Sequence, residues 1–451
     1  MSAWVLGFYA LMMRLAQPFL RRKLARRARQ EPGYGVAVEE RFGYYSQASE
    51  KSPELVWLHA VSLGETRTAA ILIKALRARQ PGLRVLLTHG TATGRAEGAG
   101  LLRAGDVQVW QAWDTPAAVE RFFNHFKPRL GLLMETEVWP CTVAAASARG
   151  LPLVLVNARM SEKSLQQALR MSPLSYPAFG ALTAVYAQTA DDAERFRQLG
   201  VAAAEVFGNL KFDAAPSLSQ QMQGKAWRQG LPQPVLMFAS SREGEELAFL
   251  ECFNVPSHEK RASIAINKVA FGVADTKALP AARILLVPRH PQRFDEVEAL
   301  AQAQGLTVSR RSSWPAAGPA EDAQAMAADV WLGDSLGEMA LYYAMSDVAL
   351  LGGSFAPLGG QNLIEAAACG CPVVMGQHTF NFSEAASQAE ASGAARRVAS
   401  MPEGVQIALQ VAADPAIHAL AVEASLAFAG GNRGATARTL QALQPFLPSV
   451  I

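Results

Sequence analysis

The chain has 451 residues, half of them apolar, and a formal net charge of only +3. This length exceeds what one ordinary hydrophobic core accommodates, so we expect two globular domains. The small net charge excludes a protein that binds nucleic acid over its whole surface. The four cysteines are too few for a disulfide scaffold and lack the spacing of a zinc site, so no metal is expected.

The first thirty residues differ in kind from the remainder of the chain. Residues 3–20 are mostly apolar and are interrupted by Arg14, and six cations follow within residues 21–29. A cleavable signal peptide carries its charge before the apolar stretch, so this order excludes secretion and indicates a membrane-anchor helix. A full span needs about 20 apolar residues and would have to include Arg14, so spanning and interfacial helices both stay open. A helix packed on the protein's own surface is the alternative.

From Leu55 onward the chain repeats a short apolar strand, a polar turn and an amphipathic helix, which is typical of an α/β fold. The first series of predicted strands is 55–58, 84–87, 107–110, 130–134, 153–156 and 184–187. The second series is 235–239, 284–287, 307–309, 330–332, 348–351 and 373–375. The predicted division is an anchor and basic segment (1–30), an N-terminal domain (31–215), a linker (216–233) and a C-terminal domain (234–451).

Parallel strands joined by right-handed helical crossovers form doubly wound sheets, which bind ligands at the carboxyl ends of their strands. Polar residues follow nearly every predicted strand. We therefore expect two Rossmann-like domains that face each other across a cleft, with a small-molecule site between them. The segment Cys252–Leu279 fits this pattern poorly.

A glycine-rich turn follows the strand predicted at 348–351. Gly352–Ser354 come directly after this strand, and Gly359–Asn362 precede a predicted helix that begins at Leu363. Glycines let a phosphate approach the backbone amides, and a helix start adds unpaired N–H groups. The turn predicts an anion site, and the carboxylate of Glu365 would bind sugar hydroxyls beside it. A glutamate favoured only by the helix dipole is the alternative.

Two further groups of polar residues lie in the same half of the chain. Arg289 and His290 end a strand within Pro288–Pro291, and Leu336–Glu338 open a later helix. Cation, backbone and carboxylate would then surround one nucleotide. A turn-stabilising role is the alternative for the proline-bounded pair.

Glu65 stands at the start of a helix in the segment His59–Glu65, directly after the first buried strand. Transfer of a glycosyl group to a hydroxyl requires removal of the hydroxyl proton, and a carboxylate desolvated in a cleft can accept it. Glu135 and Glu137 are expected beside the same cleft, and Lys211 is placed to neutralise negative charge in a ligand. A helix-start carboxylate without chemistry is the alternative for Glu65.

Seven segments, in this order and spacing, resemble the 3-deoxy-D-manno-octulosonic acid (Kdo) transferases of lipopolysaccharide synthesis in Gram-negative bacteria. The resemblance spans almost the whole chain. The segments are His59–Glu65, Met134–Pro140, Asn157–Arg159, Gly208–Asp213, Pro288–Phe294, Gly352–Glu365 and His378–Glu384.

The resemblance implies an inverting GT-B-type glycosyltransferase anchored at the cytoplasmic face of the inner membrane. It implies CMP-Kdo as donor, the lipid A precursor lipid IVA as acceptor, and no metal or other cofactor. Carried over, Glu65 is the general base, and Glu137 and Lys211 assist the transition state. The donor contacts are Pro288, Arg289, Leu336, Gly337, Glu338, Asn362, Leu363, Ile364 and Glu365. Contacts to the acceptor or the sugar are expected from Ser62, Arg159 and Lys163.

This sequence departs from the family pattern in two places. Many members have a proline after the asparagine that precedes the donor-site glutamate, whereas Leu363 follows Asn362 here. The segment Cys252–Leu279 is also longer than the pattern requires. The alternatives are another two-domain sugar-nucleotide enzyme, such as a lipid A disaccharide synthase or a nucleotide-sugar epimerase, and a catalytically inert membrane-bound binding module.

Overall fold

The computed structural model describes residues 3–51, 54–253 and 282–447, and the chain divides into two compact units. The first unit comprises Met1–Asp213 and Arg433–Ile451, and the second comprises Ala214–Asn432. Most of the segment Cys252–Leu279, which fits the sequence pattern poorly, lies outside the described residues.

This division differs from the expected domains at two places. The chain end, expected in the second domain, belongs to the first unit, because Ala435 and Leu443 are buried in that unit's core. The carboxylate of Asp213 also accepts a hydrogen bond from the Gly434 amide at 2.6 Å. The expected linker, 216–233, contains a helix of the second unit at Leu218–Gln229.

The first unit contains a parallel seven-stranded sheet in the order β3-β2-β1-β4-β5-β6-β7. All six strands predicted here are confirmed. The edge strand β7 was not predicted, because two of its three residues are exposed and give no apolar run. The strands are β1 (Leu55–His59), β2 (Arg84–His89), β3 (Val107–Trp110), β4 (Leu130–Met134), β5 (Leu153–Ala158), β6 (Ala184–Ala187) and β7 (Ala204–Val206).

Helices cover both faces of this sheet, and serine or threonine side chains cap the starts of five of them by accepting a backbone N–H. The central strands β1 and β4 are buried at every residue, as expected for a parallel sheet covered on both sides. The helices are α1 (Ala3–Gln30), α2 (Leu63–Arg79), α3 (Ala92–Ala99), α4 (Pro116–Phe126), α5 (Pro140–Ala148), α6 (Glu162–Arg170), α7 (Ser172–Gly180), α8 (Ala190–Gln198) and, at the chain end, α18 (Ala435–Leu443).

The second unit repeats the architecture with a parallel sheet in the order β10-β11-β9-β8-β12-β13-β14. The six predicted strands are again confirmed, and the missed edge strand β14 contains two arginines. The expected α/β fold with two doubly wound sheets is therefore confirmed. The strands are β8 (Val235–Ser241), β9 (Arg283–Pro288), β10 (Val308–Arg310), β11 (Val330–Leu332), β12 (Val348–Leu351), β13 (Val373–Met375) and β14 (Ala395–Arg397).

The helices of the second unit range from five residues in α12 to seventeen in α17. Those described are α9 (Leu218–Gln229), α10 (Glu245–Glu251), α11 (Phe294–Ala303), α12 (Ala323–Ala327), α13 (Met339–Ala344), α14 (Leu363–Ala368), α15 (Ser383–Ala391), α16 (Met401–Ala413) and α17 (Pro415–Gly431).

The N-terminal helix α1 has two contrasting faces. Leu6, Tyr9 and Ala10 pack against the core of the first unit. On the other face Trp4 is 88% exposed and Phe19 is 75% exposed. No single helix in the described part of the chain is both long and apolar enough to cross a bilayer.

Candidate active site

Three carboxylates lie at the point where the order of the first sheet reverses. The chain runs outward from β1 through β2 to β3 and returns on the other side of β1 as β4. Glu65 lies in the first turn of α2, directly after β1, and Glu135 and Glu137 directly follow β4. Doubly wound sheets bind ligands at such a switch point, because the two flanking connections diverge there and leave a crevice.

Glu65 forms a capping box with Ser62. Its Oε1 accepts the Ser62 hydroxyl at 2.9 Å, and its Oε2 accepts the Val61 amide at 2.9 Å. The Ser62 oxygen in turn accepts the Glu65 amide at 3.3 Å. Burial raises the pKa of Glu65, the negative charges of Glu135 and Glu137 raise it further, and the two hydrogen bonds partly offset this.

Glu135 connects the carboxylates to two cations. Its Oε2 lies 2.8 Å from Nε of Arg159, and its Oε1 lies 3.7 Å from Nζ of Lys211. The backbone at Glu135 is left-handed, with φ of 55°. A non-glycine residue rarely takes this conformation, and such strain is concentrated at functional sites.

Glu137 faces an aromatic donor and a buried imidazole. Its Oε2 accepts the indole N–H of Trp139 at 2.9 Å and lies 3.8 Å from Nε2 of His59. Thr88 contacts the other ring nitrogen of His59 at 2.9 Å through its hydroxyl. The Nε2 atom is buried and makes no hydrogen bond within the described residues, so it is directed only at the carboxylate.

Asn157 fixes the backbone beside Lys211, a role that sequence reasoning missed. Asn157 is buried at the end of β5 with φ of 52°, and its Oδ1 accepts the Leu210 amide at 2.9 Å. The Gln188 side chain donates to the Asn157 carbonyl at 2.9 Å. An asparagine near the end of an apolar strand is the sequence signal for this role, because asparagine tolerates a left-handed backbone better than most residues.

The structure therefore brings together most of the site residues expected in the first half of the chain. Glu65, Glu137, Lys211, Ser62 and Arg159 belong to one network centred on Glu135. Lys163 is exposed in the first turn of α6, and no contact joins it to these carboxylates in the described parts of the chain.

In the second unit, the turn after β12 is occupied by a carboxylate of the protein itself. Oε2 of Glu245 accepts the Gly353 amide at 2.7 Å, and its Oε1 accepts the amides of Phe355 and Ala356 at 3.1 Å each. This differs from the expectation that these amides face a phosphate. The sequence pattern could not reveal it, because Glu245 lies about a hundred residues earlier in the chain.

Cations gather at the carboxyl ends of β8 and β9, which are neighbours in the second sheet. The positive charges of Arg242, Arg289 and Arg293 lower the pKa of His290, after a larger lowering by burial. Glu365, in the first turn of α14, has its pKa raised by burial, and Arg289 partly offsets this. The positive charge of Arg289 therefore acts on the Glu365 carboxyl within the second unit.

The remaining residues expected to bind the donor lie in ordered turns. The Glu338 carboxylate pairs with Arg311 at 3.1 Å and accepts the Ser335 hydroxyl at 2.5 Å, and the Gly337 carbonyl accepts the Gln220 side chain at 2.8 Å. Oδ1 of Asn362 accepts the Ile364 amide at 3.1 Å. This cap orders the entry to α14 although no proline follows the asparagine. Pro288 ends β9, Leu336 is exposed, and Leu363 is buried.

Within the described ranges, no group of three or more histidine, cysteine, aspartate or glutamate side chains is placed to hold a metal ion. Among the carboxylates of this site, Glu135 pairs with Arg159 and Lys211, and Glu137 accepts the Trp139 indole N–H. Glu65 accepts the Ser62 hydroxyl and the Val61 amide.

Comparison with known proteins finds relatives that match nearly the whole chain. Residues 37–214 match the family described as 3-Deoxy-D-manno-octulosonic-acid transferase (kdotransferase). The chain is 46% identical over 451 residues to the 3-deoxy-D-manno-octulosonic acid transferase of Bordetella pertussis, covering 98% of this chain and 99% of that protein. It is 30% identical over 453 residues to the enzyme of the same name from Haemophilus influenzae, covering 98% of both.

A solved structure resembles the fold at much lower identity. The UDP-GlcNAc 2-epimerase of Neisseria meningitidis, bound to UDP-GlcNAc, is 14% identical with a TM-score of 0.54, covering 87% of this chain and 100% of that one. This likeness concerns the fold alone. The family assignment rests on the sequence identity to the two transferases, which extends over nearly the full length of the chain. The chain belongs to the 3-deoxy-D-manno-octulosonic acid transferase family, whose members are glycosyltransferases of lipopolysaccharide biosynthesis.

Proposed function

We propose that the enzyme transfers Kdo from CMP-Kdo to lipid IVA with inversion at the anomeric carbon, and that Glu65 is the general base. The proposal rests on the surroundings of the Glu65 carboxylate. This carboxylate is largely buried at the switch point of the first sheet, and its pKa is raised by burial and by two neighbouring carboxylates. A base with a raised pKa accepts a hydroxyl proton more readily near neutral pH than an ordinary glutamate.

In the proposed reaction, an acceptor hydroxyl attacks the anomeric carbon of Kdo. The hydroxyl proton passes to Glu65, the new carbon–oxygen bond forms, and the bond from the anomeric carbon to the phosphate oxygen breaks. CMP leaves with the electron pair of that bond. Every atom is accounted for by donor, acceptor and Glu65.

Lys211 and Glu137 are proposed to assist this step. Lys211 lies 3.7 Å from Glu135, so it is held near the base and can offset negative charge that develops on the phosphate or accompanies the Kdo carboxylate. Glu137 contributes the second negative charge that raises the Glu65 pKa. Ser62 holds the Glu65 carboxylate in place, and Arg159 and Lys163 are proposed contacts for acceptor phosphates.

The donor nucleotide is proposed to bind the second unit. Arg289 supplies the cation, Glu365 accepts the ribose hydroxyls, and Asn362–Ile364 supply the ordered start of α14. Pro288 and Leu336–Glu338 complete the contacts. Because Glu245 already occupies the first part of the glycine-rich turn, side-chain cations take the larger share of the phosphate charge.

We also propose that α1 docks the enzyme on the cytoplasmic face of the inner membrane. Phe8 and Leu15 follow Trp4 at helical spacing on the exposed face, and Phe19 continues it. The opposite face packs on the first unit along much of the helix, and Arg21 pairs with Glu39 at its basic end. An interfacial helix keeps these contacts, whereas a spanning helix would have to give them up.

Incubation of the purified enzyme with CMP-Kdo and lipid IVA tests the proposal. We expect release of CMP together with a lipid product heavier by one Kdo residue or more, and no turnover with UDP-GlcNAc. Turnover with a UDP-sugar alone would overturn the donor assignment. Binding of CMP-Kdo without any product would indicate an inert binding module instead.

A further inference from the structure

The buried Glu245 carboxylate organises the turn that leads from β12 to α14. Glu245 is 3% exposed and begins α10. Besides the amides of Gly353, Phe355 and Ala356, it accepts the Arg242 amide at 3.1 Å. A carboxylate has about four lone-pair positions, so these four backbone donors satisfy it fully.

The same turn is connected to the start of α14 by one further hydrogen bond. The Gly360 amide donates to the Gly353 carbonyl at 2.7 Å. Gly360 is followed within two residues by Asn362, which caps α14. Two hydrogen bonds therefore join Glu245 to Gly360 through Gly353, and two further residues of backbone lead from Gly360 to Asn362.

The backbone in this region is closely packed and includes several residues with positive φ. A Cβ atom at Gly352 would lie 2.3 Å from the Ser240 carbonyl oxygen, and Ser240 itself has φ of 54°. Gly353 and Gly360 also have positive φ, at 71° and 73°. A chain with two flexible glycines in left-handed conformations needs an internal partner to hold one arrangement, and Glu245 supplies it.

We propose that Glu245 is a positioning residue for the donor site, which sets the geometry of Asn362–Glu365 through the turn at Gly353–Ala356 and does not itself contact the donor. This inference rests on the proposed binding of CMP-Kdo at Asn362–Glu365. In this arrangement the glycine-rich turn binds the protein's own Glu245 carboxylate. The donor binds the start of α14 and Arg289.

The test compares Glu245→Gln with the wild-type enzyme. Glutamine has the same shape, but its NH2 group must face two of the four backbone N–H donors, so at least two hydrogen bonds are lost. We expect the KM for CMP-Kdo to rise by about tenfold or more, while the KM for lipid IVA changes less than about twofold. Glu245→Asp keeps the charge and should recover part of the loss.

Two controls separate positioning from general damage. Glu243→Gln removes an exposed carboxylate two residues earlier and should leave both KM values unchanged. Glu246→Gln removes the buried partner of Arg293, 2.6 Å away, and should lower thermal stability without singling out the donor KM. Hydrogen exchange supplies a direct readout, because the amides of Gly353, Phe355 and Ala356 should exchange faster in Glu245→Gln.

The outcomes distinguish this inference from the proposed function. If the wild-type enzyme turns over CMP-Kdo and Glu245→Gln has an unchanged donor KM with unchanged amide exchange, the inference is wrong and the function stands. The inference would also be wrong if the donor KM and the acceptor KM rose by the same factor while thermal stability fell. That result would indicate a residue with a merely structural role. Failure of the wild-type enzyme to use CMP-Kdo would instead remove the proposed function.

Discussion

Arg159 and Glu135 form an ion pair, Nε to Oε2 at 2.8 Å, in which the arginine is half exposed and the carboxylate is buried. Glu135 is one of the charges that raise the pKa of Glu65. The pair therefore links a solvent-facing cation to the proposed base. Three carboxylates share this cluster, and Arg159 and Lys211 are the cations paired with Glu135.

Replacing Glu65 with glutamine should remove the base while keeping the side chain's size. We expect kcat to fall by about 10²- to 10⁴-fold with a much smaller change in donor KM, because proton removal is lost and donor binding is not. Steady-state CMP release measures both constants. Glu194→Gln, an exposed glutamate on α8, is the control and should retain wild-type activity. Unchanged kcat in Glu65→Gln would show that another group accepts the proton.

The pH dependence of the rate should reflect the raised pKa of Glu65. The base acts only when ionised, so activity should fall as the pH drops through its pKa. Because burial and the two neighbouring carboxylates raise this pKa, the acidic limb should lie above the usual range for a glutamate. A pH profile of kcat measures the limb. A limb at or below an ordinary glutamate pKa would contradict the assignment.

Arg159→Gln should move that acidic limb upward. Removal of the guanidinium leaves Glu135 less compensated, so its negative charge acts more strongly on Glu65 and raises the Glu65 pKa further. Arg159→Lys keeps the charge and should shift the limb less. The measurement is the pH profile of kcat for the three proteins. A limb that does not move in Arg159→Gln would show that Lys211 alone compensates Glu135.

Asn157→Ala should impair turnover through Lys211. The substitution removes the acceptor of the Leu210 amide and places alanine at a φ of 52°, so the backbone beside Lys211 is expected to shift. Asn157→Gly tolerates the backbone conformation but lacks the acceptor. A fall in kcat of about tenfold or more in both variants would identify the hydrogen bond as the cause. Loss in the alanine variant alone would identify backbone strain instead.

Substitution of polar for apolar residues on the exposed face of α1 should weaken membrane docking. Phe8→Ser combined with Phe19→Ser removes two aromatic rings from the face that does not pack on the core. We expect weaker sedimentation with vesicles that contain anionic lipid, and unchanged thermal stability. Met171→Ser, at an exposed apolar residue outside α1, is the control. Equal vesicle binding by the double variant would exclude this face as the docking surface.

The sequence predicted the parts of the fold that give continuous apolar runs, and it missed β7 and β14, whose edge positions leave polar residues exposed. It also placed Glu65 and Glu137 in one site, because both follow neighbouring strands of the same sheet.

The remainder depended on contacts between distant parts of the chain. Glu245 reaches Gly353 only in the folded second unit, and the left-handed backbone at Glu135 has no local sequence signal. The last helix likewise belongs to the first unit, because Ala435 and Leu443 are buried in that unit's core. No local sequence pattern shows to which half of the chain this helix belongs.

That last helix has a consequence for how the protein is made. The second unit, Ala214–Asn432, is an insertion within the first, and the Asp213 carboxylate holds the Gly434 amide where the chain returns. When the ribosome has synthesised the whole of the second unit, it has not yet synthesised α18. The core of the first unit therefore cannot be completed until these later residues are made. A truncation of only about twenty residues at the carboxyl end would therefore leave the proposed catalytic half incomplete while the second unit has all of its own sequence.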